Sequence, residues 1–160
     1  MLSQKAKYAL RALMVLANSK SGVPVRVHDI AGAEKLSHKF LEAILLELRK
    51  HGILESRRGR GGGYRLARPA HSISFGEVIR IIDGPLAPLP CASLTQFRLC
   101  ADCSDPPRCS IRWLMQQVRD ATSGVLDNCT LADALGKVPR AFPGRMFEEM
   151  LEPSDRLAAN

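Results

Sequence analysis

Five cysteines occur in the chain, and four of them fall within 19 residues in the pattern Cys91-x8-Cys100-x2-Cys103-x5-Cys109. Thiolate is a soft donor, so such a cluster points to zinc or to an iron–sulfur group. In a reducing cytosol, clustered cysteines argue for metal ahead of disulfides. Spacing alone does not separate the two metals. A structural zinc site often comes as two CxxC knuckles, and here only Cys100 and Cys103 form one. Closing a disulfide, as a thiol sensor does, is a further use of the same residues. Cys129 stands apart and reads as a structural thiol.

A second chemistry lies upstream and is cationic. Residues 1–70 carry 14 Lys/Arg against 5 Asp/Glu, whereas residues 71–160 carry 9 against 11. The net charge of +7 therefore resides in the first half. A compact basic unit joined to a near-neutral one suggests a polyanion-binding head with a different kind of tail. Two stretches give that head its detail. Ser37, His38, Lys39 and Glu42 stand in the first turns of a predicted helix, where side chains reach base edges in a major groove. Lys39 suits a phosphate or a guanine, and Glu42 a cytosine amino group. Arg57, Arg58 and Arg60 flank Gly61 and Gly62 in a glycine-rich turn. Arginine favours a narrow minor groove, and glycine lets backbone approach phosphate. A solvated helix face and a surface hairpin are the plainer readings of the same residues.

The elements that must position these groups follow from periodicity. Residues 3–18 read as a helix, with Ser3 as N-cap and Ala6, Leu10, Leu13, Met14 and Ala17 at helical spacing. A short helix over 28–33, a turn at Lys35 and Leu36, and a helix over 38–51 capped by Ser37 make a helix-turn-helix. Phe40, Leu41, Ile44, Leu45 and Leu48 form the apolar stripe, and Gly52 stops the helix. Strands over 53–56 and 64–66 enclose the glycine-rich turn and form a wing. Residues 72–82 read as a further helix. Pro85, Pro88 and Pro90 then mark a boundary, and the cysteine loop follows. A helix returns over 110–126, with Ile111, Leu114, Met115, Val118 and Val125 on one face. That stripe has to be buried against a partner chain or within the chain. Trp113 is expected to pack between this helix and the head.

The expected fold is mainly α with a small β-hairpin wing: a winged helix-turn-helix head plus a long dimerisation helix. The expected organisation is a head over 1–84, a cysteine-rich loop over 85–109, a dimerisation helix over 110–135 and a loosely ordered tail over 136–160, with a short helix over 146–151. The 160-residue chain is 46% hydrophobic and 24% charged, which is an ordinary globular composition. No apolar run approaches the roughly 18 residues of a membrane span, and no secretory signal opens the chain, so a cytoplasmic protein is expected. No hydrolytic triad, P-loop or dinucleotide fingerprint is present, and no enzyme is expected.

Several of these segments together resemble one bacterial family. They are Leu2-Ser3 with Lys5-Ala6, Tyr8-Ala9-Leu10-Arg11-Ala12-Leu13, Asp29-Ile30-Ala31, Phe40-Leu41 with Ile44 and Leu48, and Thr130-Leu131-Ala132-Asp133. The most specific is Ser56-x-Arg58-Gly59-x-Gly61-Gly62-Gly63-Tyr64-Arg65-Leu66-Ala67. The chain resembles the Rrf2 family of winged-helix regulators, IscR-, NsrR- and RirA-like, over about residues 1–135. The resemblance implies a homodimeric regulator of transcription that binds double-stranded DNA at a pseudo-palindromic operator. It also implies an iron–sulfur cluster in the loop before the dimer helix, with repression by the cluster-bound form as the commoner logic. Arg58 matches the family's minor-groove arginine, and Glu42 a position that tunes site preference.

The resemblance has departures. Cluster-binding members typically show three cysteines here and take a fourth ligand elsewhere. IscR-like members use a histidine three residues after the last cysteine, where this chain has Arg112. Others borrow from the partner's first helix, where Tyr8 and Ala12 stand. An all-cysteine site of Cys91, Cys100, Cys103 and Cys109 is therefore inferred, with 4Fe–4S favoured over 2Fe–2S and zinc as the alternative. Two other functions stay open: a zinc-stabilised or thiol-sensing DNA binder, and a small iron–sulfur redox protein.

Overall fold

The computed structural model describes residues 2–19, 22–34, 37–59, 61–101, 103 and 105–137. The predicted turn at Lys35 and Leu36, Arg60, and the predicted 146–151 helix lie outside the described residues.

The first helix, α1 (Gln4–Ala17), begins where expected, with the Ser3 hydroxyl accepting from the Ala6 N–H. Ala6, Ala9, Ala12, Leu13 and Leu16 are its buried face. Helices α2 (Val27–Glu34) and α3 (His38–Lys50) follow. Ile30 and Ala31 of α2 and Leu41, Ile44, Leu45 and Leu48 of α3 close on α1 in one core. Ser37 occupies the N-cap of α3 but makes no side-chain capping hydrogen bond, which corrects its expected capping role. Its hydroxyl stays exposed beside the start of the helix.

Strands β1 (Leu54–Arg57) and β2 (Gly63–Leu66) form the antiparallel wing, in register Leu54 to Leu66 and Arg57 to Gly63. The wing is fastened to the head by a bridge between Val25 and Tyr64, with both backbone bonds at 2.8 Å. That approach requires glycine next door. A Cβ on Gly63 would stand 2.3 Å from the Val25 carbonyl, and one on Gly62 2.3 Å from the Arg57 carbonyl. Glycine thus sets how tightly the wing closes on itself and on the head.

The predicted 72–82 helix starts later. Residues Ala70–Ser72 form a 3₁₀ turn, and α4 (Phe75–Asp83) is capped by Ser74, whose hydroxyl accepts from Glu77. A bridge between Ser74 and Thr130, with Leu131 N–H donating to the Ile73 carbonyl and Phe75 N–H to the Cys129 carbonyl, holds the preceding segment extended. The cysteine loop has two short 3₁₀ turns, Pro90–Ala92 and Pro106–Arg108. The long helix α5 spans Ser110–Asp127.

The helix expected over 110–126 is α5, and the segment expected to complete a dimerisation unit to 135 holds a second helix. The backbone breaks at Asn128–Thr130, and α6 (Leu131–Lys137) turns back onto α1 and the Ala70–Ser72 turn. Two features cause the break. The Thr130 hydroxyl accepts from the Asp133 N–H, while the Asp133 carboxylate accepts from both Thr130 donors, a reciprocal capping box. Leu131 is also completely buried, and burying such a side chain contributes about 2 kcal/mol. An unbroken helix would carry it away from the core.

The head and α5 are locked together. Arg80 of α4 binds Asp127 through both terminal nitrogens, at 2.6 and 2.8 Å, and reaches Ser123. Gly76 makes room: a Cβ there would stand 1.9 Å from the Asp127 carboxylate. The bond to Arg80 holds the Asp127 carboxyl below the usual carboxylate range, and the same bond raises Arg80. A depressed carboxyl stabilises the fold above its unfolded value and loses that contribution as pH falls through its folded value. We expect Asp127→Asn to flatten this acid-side loss in a thermal-melt series taken below the ordinary aspartate range. Gly76→Ala should act in the same direction by displacing the carboxylate. A melt series parallel to the parent's would remove Asp127 from the lock.

Candidate metal centre and nucleic-acid interface

The loop's cysteines converge on one place. Cys91, Cys100, Cys103 and Cys109 all line a single cavity of about 490 Å³, together with Leu89, Asp105, Arg108, Ile111 and Arg112. Local structure places each of them. Cys91 lies inside the 3₁₀ turn Pro90–Ala92 and is 5% exposed. Cys103 follows a tight turn closed by its own N–H donating to the Cys100 carbonyl. Cys109 caps α5, its sulfur accepting from the Arg112 N–H at 3.4 Å. Pro106 and Pro107 shape the turn that delivers it.

The sulfurs feel one another. The Cys103 thiol is held above its ordinary range, first by partial burial and then by the charge that Cys109 would carry. A hydrogen bond with Cys109 and the proximity of Cys91 add to this, and the Asp105 N–H, donating to the sulfur, opposes it. A thiol held protonated in this way is one that a bound cation stabilises as thiolate, because metal replaces its proton.

Fit to a metal can be tested on the donor set. A single zinc ion requires four donors about 2.3 Å from one point. Among the described residues, no three His, Cys, Asp or Glu side chains are gathered about a single-ion position. The four thiols instead stand around a cavity, with no disulfide among them. The four thiols supply a soft donor set of the kind that zinc or an iron–sulfur group takes.

Arg112 has a specific place. Its Nε donates to the Cys91 carbonyl at 3.0 Å, a terminal nitrogen donates to the Pro106 carbonyl at 3.4 Å, and the guanidinium lies 5.5 Å over the Phe97 ring. It therefore ties both ends of the loop to α5. Arg119, which the sequence did not single out, donates from a terminal nitrogen to the Ala92 carbonyl. The available signal was the seven-residue separation of two arginines, which sets both on one helix face.

Trp113 corrects the packing expected of it: it is 63% exposed, because α5 turns it away from the head. Of the expected dimer face, Ile111, Leu114, Val118 and Val125 are exposed at 41–70%, and Met115 is half-buried. No residue of α5 is fully buried.

The cationic surface lies at the other end. Ser37, His38, Lys39 and Glu42 are all exposed at the start of α3, while the opposite face of the helix is core. His38 Nδ1 stands 3.7 Å from the Glu42 carboxylate, one turn on. Phe40 packs edge-on against Tyr8, with ring centroids 5.9 Å apart. Arg57, Arg58 and Gly61 are exposed on the wing and Gly62 is half-buried. Arg49 at the end of α3 donates to Ser56 Oγ at 3.0 Å, joining the helix to the wing. The structure thus sets one helix N-terminus and one basic hairpin on the same three-helix core. No helix among the described residues is long and apolar enough to cross a membrane.

Comparison with known proteins gives consistent matches. Residues 2–137 match the family described as Rrf2, iron-dependent transcriptional regulator. An Rrf2-like helix-turn-helix transcriptional regulator of Rhodobacter capsulatus is 42% identical over 138 residues, covering 84% of this chain and 92% of that protein. CymR, the global cysteine regulator of B. subtilis, superposes with a TM-score of 0.69 at 32% identity, covering 83% of this chain and 94% of that one. IscR of T. potens superposes with a TM-score of 0.67 at 30% identity, covering 92% and 96%.

Proposed function

The chain belongs to the Rrf2 family of transcriptional regulators, and from that premise we propose that it is a homodimeric repressor whose operator affinity is set by an iron–sulfur cluster on Cys91, Cys100, Cys103 and Cys109. DNA binding and the absence of an enzymatic role come with the family. The observation that carries the finer reading is the convergence of all four loop cysteines on one cavity. The description of the family as iron-dependent supports it. The thiolates supply the whole ligand set, and 4Fe–4S is the favoured form. When bound, the cluster supplies a crosslink whose integrity depends on iron, oxygen or nitric oxide.

The chain's own residues then carry the signal. Arg112 and Arg119 tie the loop to α5. Arg80 and Asp127 tie α5 to α4, and α4 packs on α1 in the head. Ordering the loop therefore bears on the angle between α5 and the head. The exposed stripe of Ile111, Leu114, Val118 and Val125, with Met115, pairs two copies. Two identical heads read a pseudo-palindromic site. In each head Ser37, His38, Lys39 and Glu42 enter a major groove, while Arg57 and Arg58 reach the adjacent minor groove and Gly61 and Gly62 allow backbone approach. Arg60 belongs to the same set by position, outside the described residues.

A second reading rests on its own observation. Cys103 and Cys109 share a hydrogen bond, so the loss of two protons and two electrons to an oxidant would join them as a disulfide without iron. The similarity to a cysteine regulator favours this thiol-sensing form. Operator titration by fluorescence anisotropy separates the two readings. The cluster reading expects anaerobic, iron-loaded protein to bind at least tenfold tighter than metal-free, fully reduced protein. The thiol reading expects no dependence on iron and a change only when the metal-free protein is oxidised.

A further inference from the structure

Beyond the exposed Pro90, the turn that carries Cys91 is buried, with Cys91 5%, Ala92 1% and Ser93 6% exposed. Buried backbone carbonyls need donors, or the turn loses the free energy of their desolvation. Within the turn, the Pro90 carbonyl accepts from Ser93 and Arg98, and the Leu89 carbonyl from Ala92. The carbonyls of Cys91 and Ala92 are served from outside it. Arg112 Nε donates to the first at 3.0 Å, and a terminal nitrogen of Arg119 donates to the second. The two arginines stand seven residues apart on α5, so they lie on the same side of the helix two turns from each other.

Arg119 is suited to holding a fixed position. Its side chain is 11% exposed. Its Nε and other terminal nitrogen hold Asp120 at 2.8 and 2.7 Å, which leaves one edge aimed at Ala92. Arg119 does not line the cysteine cavity, whereas Arg112 does. Arg119 can therefore act on the turn without altering the charge beside the sulfurs.

We infer that Arg112 and Arg119 form a two-point clamp that fixes Cys91 on α5 and so presents it as the fourth cluster ligand. This rests on the cluster reading above, but the clamp itself is a property of the metal-free chain. Cys91 comes from a separate turn eight intervening residues before the next cysteine, and Cys100, Cys103 and Cys109 are set by their own turns and by the helix cap. The clamp makes Arg112 and Arg119 positioning residues for one thiol.

The test labels cysteines of the metal-free, reduced protein with iodoacetamide and reads each site by mass spectrometry. In the parent, Cys91 reacts slowly. In Arg119→Gln the clamp loses one charge-assisted bond, and Cys91 should react about tenfold faster. Cys129, outside the loop, should not change its rate, and Arg119→Lys should restore part of the protection. Reconstituted Arg119→Gln should also hold less iron per chain. An Arg119→Gln protein that labels Cys91 at the parent's rate overturns the clamp. So does equal acceleration at Cys91 and Cys129, which reports general loosening. If Arg119→Gln does not fold, the Lys variant decides: slow labelling that matches the parent despite the lost planar fork overturns the clamp, and intermediate labelling supports it. Cys91→Ser separates the clamp from the cluster reading. Full iron content in Cys91→Ser removes Cys91 as a ligand, whatever the labelling shows.

Discussion

Cys103→Ser is expected to give a colourless protein with little bound iron and an unaltered head. Cys103 lines the cavity with the other three thiols, and its sulfur shares a hydrogen bond with Cys109. A serine hydroxyl does not deprotonate to a soft ligand near neutral pH, and a site missing one of four thiolates loses its hold on iron. The fold does not depend on the residue. Cys103 is only half-buried, outside the core built on α1, α3 and α4, so the cost to stability should stay within about 0.5 kcal/mol. Visible absorbance and iron content, read beside a thermal melt, check both halves. An unchanged spectrum removes Cys103 from the site.

Arg58→Ala is expected to weaken operator binding without touching the spectrum. Arg58 is exposed beside the wing turn and makes no contact with the cysteine cavity. A groove-reading arginine contributes about 1–3 kcal/mol, or about tenfold or more, and a dimer loses two of them. The dependence of log affinity on log salt should become shallower by about two as well, since each lost cationic contact releases about one counterion fewer. Full affinity in Arg58→Ala would show that the hairpin does not enter the groove. Loss of affinity together with loss of iron would place Arg58 in the fold of the whole chain.

Most of the head was legible in the sequence because its core is built from helical periodicity. Leu41, Ile44, Leu45 and Leu48 are apolar at the spacing that burial requires, and all four are buried. The wing was legible from glycine, which is needed where Gly63 passes Val25. The cysteine set was legible in the sequence from its spacing, and the four residues line one cavity.

The misreadings have physical causes. The extent of α5 was legible, but α6 was not read as a helix of its own, because Leu131 continues an apolar pattern that helix and break share. The Thr130–Asp133 capping box was the signal for a new start. Trp113 was assigned to packing between α5 and the head, yet it lies on an outward side of α5 and is 63% exposed. Ser37 has a capping residue's identity and position without the bond. Arg112 and Arg119 offered only their seven-residue separation, because the backbone carbonyls they bind in a distant turn leave no mark on composition.

The central claim is that the four loop cysteines hold an iron–sulfur cluster, and its most direct test is the metal content of protein purified without oxygen. Iron, acid-labile sulfide and zinc are measured on one sample, per chain. The account predicts about four irons and about four sulfides with negligible zinc. A stoichiometric zinc content without sulfide would contradict it, and would make the loop a structural site whose regulatory signal enters elsewhere.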